Sequence, residues 1–200
     1  MLIFVSMIAY LKGDFVYKSP AVVQVDVNGV GYEVFISLNT YSKIQNLDKG
    51  LLHTCLLIRE DAHILIGFFD PVEKEMFLHL ISVSGIGATT ARIMLSYMKP
   101  EELVRAIVTA DLRTLESIKG IGKKTAERMV LELKDKLAKH PVNSNFPALK
   151  YNTLHADALN ALMALGIARN TAEQAVQKVT QSDPSITSIE DVIKRALKIL

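Results

Sequence analysis

The strongest constraint in this 200-residue chain is an internal repeat with an offset of 35 residues. Leu80-Ile-Ser-Val-Ser-Gly-Ile-Gly-Ala-Thr-Thr-Ala-Arg-Ile-Met-Leu95 aligns with Leu115-Glu-Ser-Ile-Lys-Gly-Ile-Gly-Lys-Lys-Thr-Ala-Glu-Arg-Met-Val130, and eight of the sixteen positions are identical. Each copy reads as helix, Gly-Ile-Gly turn, helix. The paired glycines, Gly85 and Gly87 or Gly120 and Gly122, let the chain reverse with φ > 0 and with no Cβ in the way. Ile86 or Ile121 between them anchors the turn in the helix pair. Amides at the start of the following helix then face outward with the positive end of the helix dipole behind them, which makes an anion site. Two such hairpins about a local two-fold axis suit the phosphates of both strands of one duplex, contacts that position a nucleic acid without reading its sequence.

The basic side chains follow the same feature. The chain carries a net charge of only +2, but its middle third holds 12 basic against 9 acidic residues. Lys119, Lys123, Lys124 and Arg128 surround the second turn, with Thr125 beside them, whereas Arg92 is the only base near the first. Salt-sensitive binding is expected, with a log–log slope of about −0.9 per phosphate neutralised. A lone Gly-x-Gly between helices is usually no more than a tight turn; two matching copies, one ringed by four bases, favour nucleic-acid binding. Gly120-Ile-Gly-Lys-Lys-Thr125 is not a phosphate loop, which needs Gly-Lys followed by Ser or Thr and a glycine five residues earlier. No third glycine completes a dinucleotide fingerprint. No ATP site, cofactor or metal-ligand spacing is found, and the five histidines are scattered.

Around the repeat the pattern changes twice. Residues 1–68 read as short strands. Val23, Val25 and Val27 alternate with polar residues, Asn28-Gly29 marks a tight hairpin, and Tyr32, Val34 and Ile36 alternate on the return. Leu51 to Ile58, a charged turn at Arg59-Glu-Asp-Ala62, and Ile64 to Ile66 add a further pair. Five or so strands suggest a small barrel or sandwich. The apolar opening, residues 1–11, is too short to span a bilayer and reads as a first strand. Asp70-Pro71-Val72-Glu73 reads as a capping box that opens the helical region 69–140, and Lys99-Pro-Glu-Glu102 as the start of a further helix. Residues 141–153 read as a linker. Residues 154–200 read as three short helices: one ending at Gly166, one starting near Asn170-x-x-Glu173, and one opened by a capping box at Thr187-x-x-Glu190. The last carries Ile193, Ala196, Leu197 and Leu200 on one face. The single cysteine, Cys55, excludes an intrachain disulfide and fits a reducing cytoplasm.

The tandem Gly-Ile-Gly hairpins, with the second as Gly-Ile-Gly-Lys-Lys-Thr-Ala-Glu-Arg128, resemble the helix-hairpin-helix pair of the RuvA family. Asn28-Gly-Val-Gly-Tyr-Glu-Val34 is similar to that family's β-hairpin, Arg59-Glu-Asp-Ala62 to its acidic turn, and Ala161-Leu-Met-Ala-Leu-Gly166 to the start of its C-terminal domain. The resemblance covers about residues 7–200; the family usually begins near Met7, so the first six residues read as an added segment. It implies a multidomain α+β chain: an N-terminal OB-fold β-barrel, an all-α tandem helix-hairpin-helix domain, a flexible linker and a small C-terminal three-helix, UBA-like domain. It implies a non-catalytic homotetramer, or an octamer of two tetramers, that binds four-way DNA (Holliday) junctions. Its implied partners are the hexameric AAA+ motor RuvB, which hydrolyses ATP, and the resolvase RuvC.

Residue roles follow from the same resemblance. Arg59 joins the DNA-binding set. Glu60 and Asp61 become an acidic pin, eight carboxylates around the junction centre, where bottom-up reading sees only a solvated turn. Leu162, Leu165, Ile167 and Leu197 become the motor-docking patch, although the same spacing suits a bundle core. The chain departs from the family at Ile167, where an aromatic is common, and at Thr89, where a base is common. Two other readings remain. A helix-hairpin-helix repair nuclease or accessory subunit would need paired carboxylates at a metal, and Asp111 and Asp135 have no evident partners. A single-strand-binding adaptor would need aromatic platforms, and the chain has no tryptophan.

Overall fold

The computed structural model describes residues 7–60, 62–139, 150–183 and 186–200. The chain divides into two compact units, residues 1–144 and 145–200.

In the first unit, alternating apolar residues build five strands: β1 (Tyr10–Lys18), β2 (Val22–Val27), β3 (Val30–Ile36), β4 (Lys49–Ile58) and β5 (His63–Phe68). They close into a barrel in the order β1-β2-β3-β5-β4, with β3 and β5 parallel and the other pairs antiparallel. The OB-like barrel of the sequence reading is present. Asn28 (φ 53°) and Gly29 (φ 88°) make the expected two-residue turn, and the Asp26 carboxylate accepts the Gly29 amide at 2.8 Å. Val23, Val25, Val34, Ile36, Leu52 and Leu65 fill the barrel interior. The first strand differs from expectation: it starts at Tyr10 and runs on through Gly13 and Asp14. Lys12 faces solvent on the barrel wall rather than ending the strand, because alternation, not an apolar run, defines a half-exposed strand. Residues 1–6 lie outside the described residues.

A short helix between β3 and β4, α1 (Leu38–Ile44), was not anticipated. It bears on the next element. Helix α2 (Pro71–Ser82) begins after Asp70 as expected, with Pro71 in its first turn, but there is no capping box. The Asp70 carboxylate pairs with Lys43 instead, and Glu73 is buried at 1% exposure. Ser37 Oγ and Thr40 Oγ1 donate to the two Glu73 oxygens, the second at 2.7 Å. Each hydroxyl also accepts a backbone amide, from Thr40 and Phe69 respectively. The carboxylate therefore ties the barrel to the helical region.

Helices α3 (Ala88–Tyr97), α4 (Pro100–Val108), α5 (Leu112–Glu116) and α6 (Lys123–Lys139) follow. The Glu102 side chain accepts the Lys99 amide at 2.9 Å, so α4 opens as its acidic first turn suggested. The helices do not have a core of their own. Cys55, Leu57, Ile66 and Phe68 from the outer face of β4 and β5 join Met76, Phe77, Leu80, Met94, Leu103, Leu115, Met129 and Leu133 in one cluster. The Phe68 and Phe77 rings lie 5.0 Å apart and are tilted by 47°. Each such side chain contributes about 1.5–3 kcal/mol on burial. The division at residue 68/69 is thus a change of secondary structure across a continuous core.

The second unit contains α7 (Lys150–Ala164), α8 (Arg169–Ser182) and α9 (Ile189–Ile199). The expected linker, residues 141–153, lies outside the described residues up to 149, and α7 already runs through 150–153. Gly166 (φ 90°) terminates α7 as expected. Helix α8 starts at Arg169 with no side-chain cap, so Asn170 is inside it. Helix α9 is capped by Ser188, whose hydroxyl accepts the Asp191 amide, and not by Thr187. Its core is built from small residues, Ala158, Ala172, Ala175 and Ala196, with Leu159, Leu162, Val176, Val179 and Val192.

Candidate nucleic-acid interface

The two Gly-Ile-Gly turns are built alike. In the first, the Val83 amide donates to Leu80 O (3.1 Å), Ile86 to Val83 O (3.1 Å) and Ala91 to Gly87 O (2.9 Å). In the second, Ile118 donates to Leu115 O (3.3 Å), Ile121 to Ile118 O (3.0 Å) and Ala126 to Gly122 O (3.0 Å). The repeat in the sequence is a repeat of backbone hydrogen bonds. Ile86 and Ile121 are both buried, as the anchoring role requires.

The glycines divide their work in a way the sequence did not reveal. Only the first of each pair has positive φ, 95° at Gly85 and 93° at Gly120. Gly87 sits at φ −87°, extended, as the N-cap of α3 and without a side-chain cap bond. A Cβ added at Gly87 or Gly122 would meet no protein atom within 4 Å. The fold does not need glycine there. What its absence of bulk preserves is open space in front of the first amides of α3 and α6, which have no carbonyl one turn back to bond. That is where an anion would approach.

The charged residues fall into two groups. Lys119, Lys123 and Lys124 are exposed, and their side chains make no hydrogen bond or ion pair among the described residues; Thr125, half-buried, donates its amide to Gly122 O. Arg92 and Arg128, both expected as phosphate contacts, are engaged by the protein. Arg92 Nη1 donates to Ala21 O at 3.3 Å, and its guanidinium lies 5.1 Å from the centroid of the Phe35 ring. Burial lowers its pKa, though a guanidinium stays charged in proteins. Arg128 Nη1 donates to Ser84 O at 3.3 Å, in the first turn. Neither partner could be found from sequence spacing, since one is 71 residues away and the other 44.

Arg59 and Glu60 lie at the tip between β4 and β5, both exposed, with the Arg59 amide donating to Ala62 O at 2.9 Å. The Arg59 side chain has no polar partner among the described residues. Together with Arg92, Phe35, Ile64, Ile66, Ala88 and Thr89 it lines a cleft of about 100 Å³ between the barrel and the start of α3. Asp61 lies outside the described residues. A larger cavity, about 520 Å³, is walled by Asn39, Lys43, Asp70, Glu73 and Lys99 and includes none of the residues expected from the sequence to bind DNA, form the pin or dock the motor.

Three family models match along the chain: RuvA N terminal domain over residues 7–67, SAM-like helix-hairpin-helix tandem over 77–135, and RuvA C-terminal domain over 153–200. The Holliday junction branch migration complex subunit RuvA of Cytophaga hutchinsonii is 45% identical over 199 residues, covering 96% of this chain and 100% of that protein. The chain belongs to the RuvA family. The proteins of the same name from Flavobacterium psychrophilum and Bacteroides fragilis are 47% and 43% identical, each match covering 97% of this chain and 100% of the relative. That membership favours a branch migration complex subunit over the nuclease-subunit and adaptor readings. No helix among the described residues is long and apolar enough to cross a membrane.

Within the RuvA C-terminal region the four expected docking residues separate. Leu162 is fully buried at 0% exposure and belongs to the core of its unit, so it is not part of a surface patch. The helical spacing that suggested it is the spacing of a core position. Ile167 is half-buried against that core. Leu165 at 64% and Leu197 at 45% exposure do face outward. Met163, Ile199 and Leu200 are also exposed; the spacing argument passed over Met163 and Ile199, and placed Leu200 on the same face as the buried Ala196.

Proposed function

We propose that this chain is the non-catalytic, junction-binding subunit of a Holliday junction branch migration complex. It holds a four-way DNA junction open and presents it to a RuvB-type AAA+ hexamer, which supplies ATP hydrolysis. The observation that carries the reading is the pair of turns with one hydrogen-bond pattern, each ending in open space before a helix N-terminus, one ringed by three unpaired lysines. Four copies of such a surface around a four-fold axis would offer each arm of a square junction a pair of hairpins. A homotetramer, or two tetramers closing as an octamer, is the assembly this requires, and a RuvC-type resolvase is the partner that would act on the held junction. The family name of the relatives supports the DNA and motor partnership.

The exposed tip at Arg59 and Glu60, with Asp61, is the acidic pin of this scheme. Carboxylates repel phosphates at the crossover and keep plain duplex from threading it. Arg59 supplies a cation beside them for a phosphate at the edge of the opening. Leu165 and Leu197, with Ile167 at the margin, are the motor-docking residues that remain after Leu162 is assigned to the core. We place the work in the cytoplasm, a reducing compartment that suits the lone, buried thiol of Cys55.

Affinity of the purified chain for a synthetic four-way junction, a linear duplex and a single strand, measured at several salt concentrations, tests the reading. The junction should be bound at least about tenfold more tightly than duplex of equal length. Glu60→Gln with Asp61→Asn should narrow that ratio or alter motor-driven branch migration while leaving duplex affinity alone. Equal affinity for junction and duplex at moderate salt would sink the proposal.

A further inference from the structure

The first turn poses a problem that the second does not. At the two positions where the second turn carries Lys123 and Lys124, the first has Ala88 and Thr89. A lysine on a flexible stem tolerates misplacement, because its attraction for phosphate is long-ranged and its ammonium can move. A backbone amide does not. Its hydrogen bond is lost within a few tenths of an ångström and a few tens of degrees. A turn that binds phosphate by main-chain amides alone must therefore be held in place by the protein around it.

Two arginines converge on that turn. Arg92, on the first turn and a half of α3, rests on the Phe35 ring of β3 and donates to Ala21 O, in the connection between β1 and β2. It fastens the helix that starts at the turn to the barrel. Arg128, on α6, donates to Ser84 O, the carbonyl immediately before Gly85. It fastens the turn itself to the second hairpin. The arrangement runs one way only. At the repeat offset, Arg92 matches Glu127 and Arg128 matches Ile93, and neither bond has a counterpart at the second turn among the described residues.

We propose that Arg92 and Arg128 are positioning residues of the DNA-binding surface, which brace the uncharged first hairpin against the barrel and against the second hairpin. The proposal rests on the nucleic-acid reading above. The second hairpin binds through its own lysines; the first binds because these two side chains set where its amides stand.

The test uses the full-length chain, a synthetic four-way junction, and the variants Arg128→Gln and Arg92→Gln, with Lys124→Gln as the reference for an ordinary phosphate contact. Amide hydrogen exchange is followed in the DNA-free protein, and binding is measured across a salt series. Arg128 is exposed, so its replacement leaves the core intact. Each arginine variant should speed exchange over residues 83–89 before any DNA is added. Each should weaken junction binding roughly three- to tenfold, the scale of one ordinary net hydrogen bond, with the salt slope unchanged. Lys124→Gln should instead leave exchange alone and reduce the slope by about 0.9. Unchanged exchange at 83–89 overturns the proposal, as does a slope that falls by about 0.9 for an arginine variant. If the unaltered chain bound no DNA, the nucleic-acid reading would fail, while the exchange result would still report on the brace.

Discussion

The first hairpin turn, Gly85 to Gly87, and the second, Gly120 to Gly122, share their anchoring isoleucine, their left-handed glycine and their hydrogen bonds. They differ in what surrounds that backbone. The second is ringed by Lys119, Lys123 and Lys124, whereas the first has Ser84, Ala88 and Thr89 at those positions and is bonded instead by Arg92 and Arg128. A duplicated backbone can therefore keep one binding geometry while charge accumulates on one copy and bracing on the other. Long-range attraction and short-range placement are separable jobs, and under the proposed function each copy would do more of one.

The comparison breaks most visibly through charge. Lys119→Gln, Lys123→Gln and Lys124→Gln together should lower the magnitude of the salt slope by about 2.7 and abolish most duplex binding at moderate salt. No substitution at the first turn should change the slope by a comparable amount. Titrations of a fluorescent duplex at three or more salt concentrations decide this.

A second, smaller effect should be the same at both copies. Gly87→Val and Gly122→Val place a side chain where no protein atom stands, at a φ that is ordinary for Gly87. The thermal midpoint should hardly move. Junction affinity should fall on the order of tenfold for each, the loss of one charge-assisted hydrogen bond or slightly more. A drop in melting temperature of several degrees would mean that these glycines serve the fold after all.

The smallest effect concerns two carboxylates at the helix starts leading into each copy. Burial pushes Glu73 above the usual carboxylate range, outweighing its Ser37 and Thr40 donors and the nearby Lys43, whose own charge is paired with Asp70. Hydrogen bonds from Thr114 pull Asp111, the N-cap of α5, below its usual value. A raised carboxylate stabilises the fold most below its unfolded pKa, about 4.3 for Glu, and loses that contribution as pH rises through its folded value. A depressed one contributes above its unfolded pKa, about 3.9 for Asp, and loses the contribution as pH falls through its folded value. Melting curves of Glu73→Gln and Asp111→Asn against the parent chain should therefore diverge from it in opposite pH directions. Parallel curves for both would remove the linkage.

How much of this was legible depended on range. The barrel strands, the Asn28-Gly29 turn and both hairpins could be read because alternation, turn chemistry and repetition are local. Short α1 was missed because seven residues carry little periodicity. The capping box at Asp70 and Glu73 was misread because both side chains found better partners on α1, some thirty residues away in sequence. Leu162 reads as a docking residue in the sequence and as a core residue in the structure because a core stripe and a docking stripe have the same spacing until burial separates them. Arg92 and Arg128 looked like free charge because a carbonyl acceptor leaves no mark in a sequence.

The shared core of β4, β5 and the helices has a consequence for anyone who would dissect the chain. Cutting at residue 69 would leave the N-terminal piece with Leu57, Ile66 and Phe68 stripped of their cover, and the C-terminal piece with Met76 and Phe77 in water. Neither fragment would be a soluble reagent. The β4–β5 tip and the two Gly-Ile-Gly turns are therefore inherited, exchanged or lost together, as one exchangeable part.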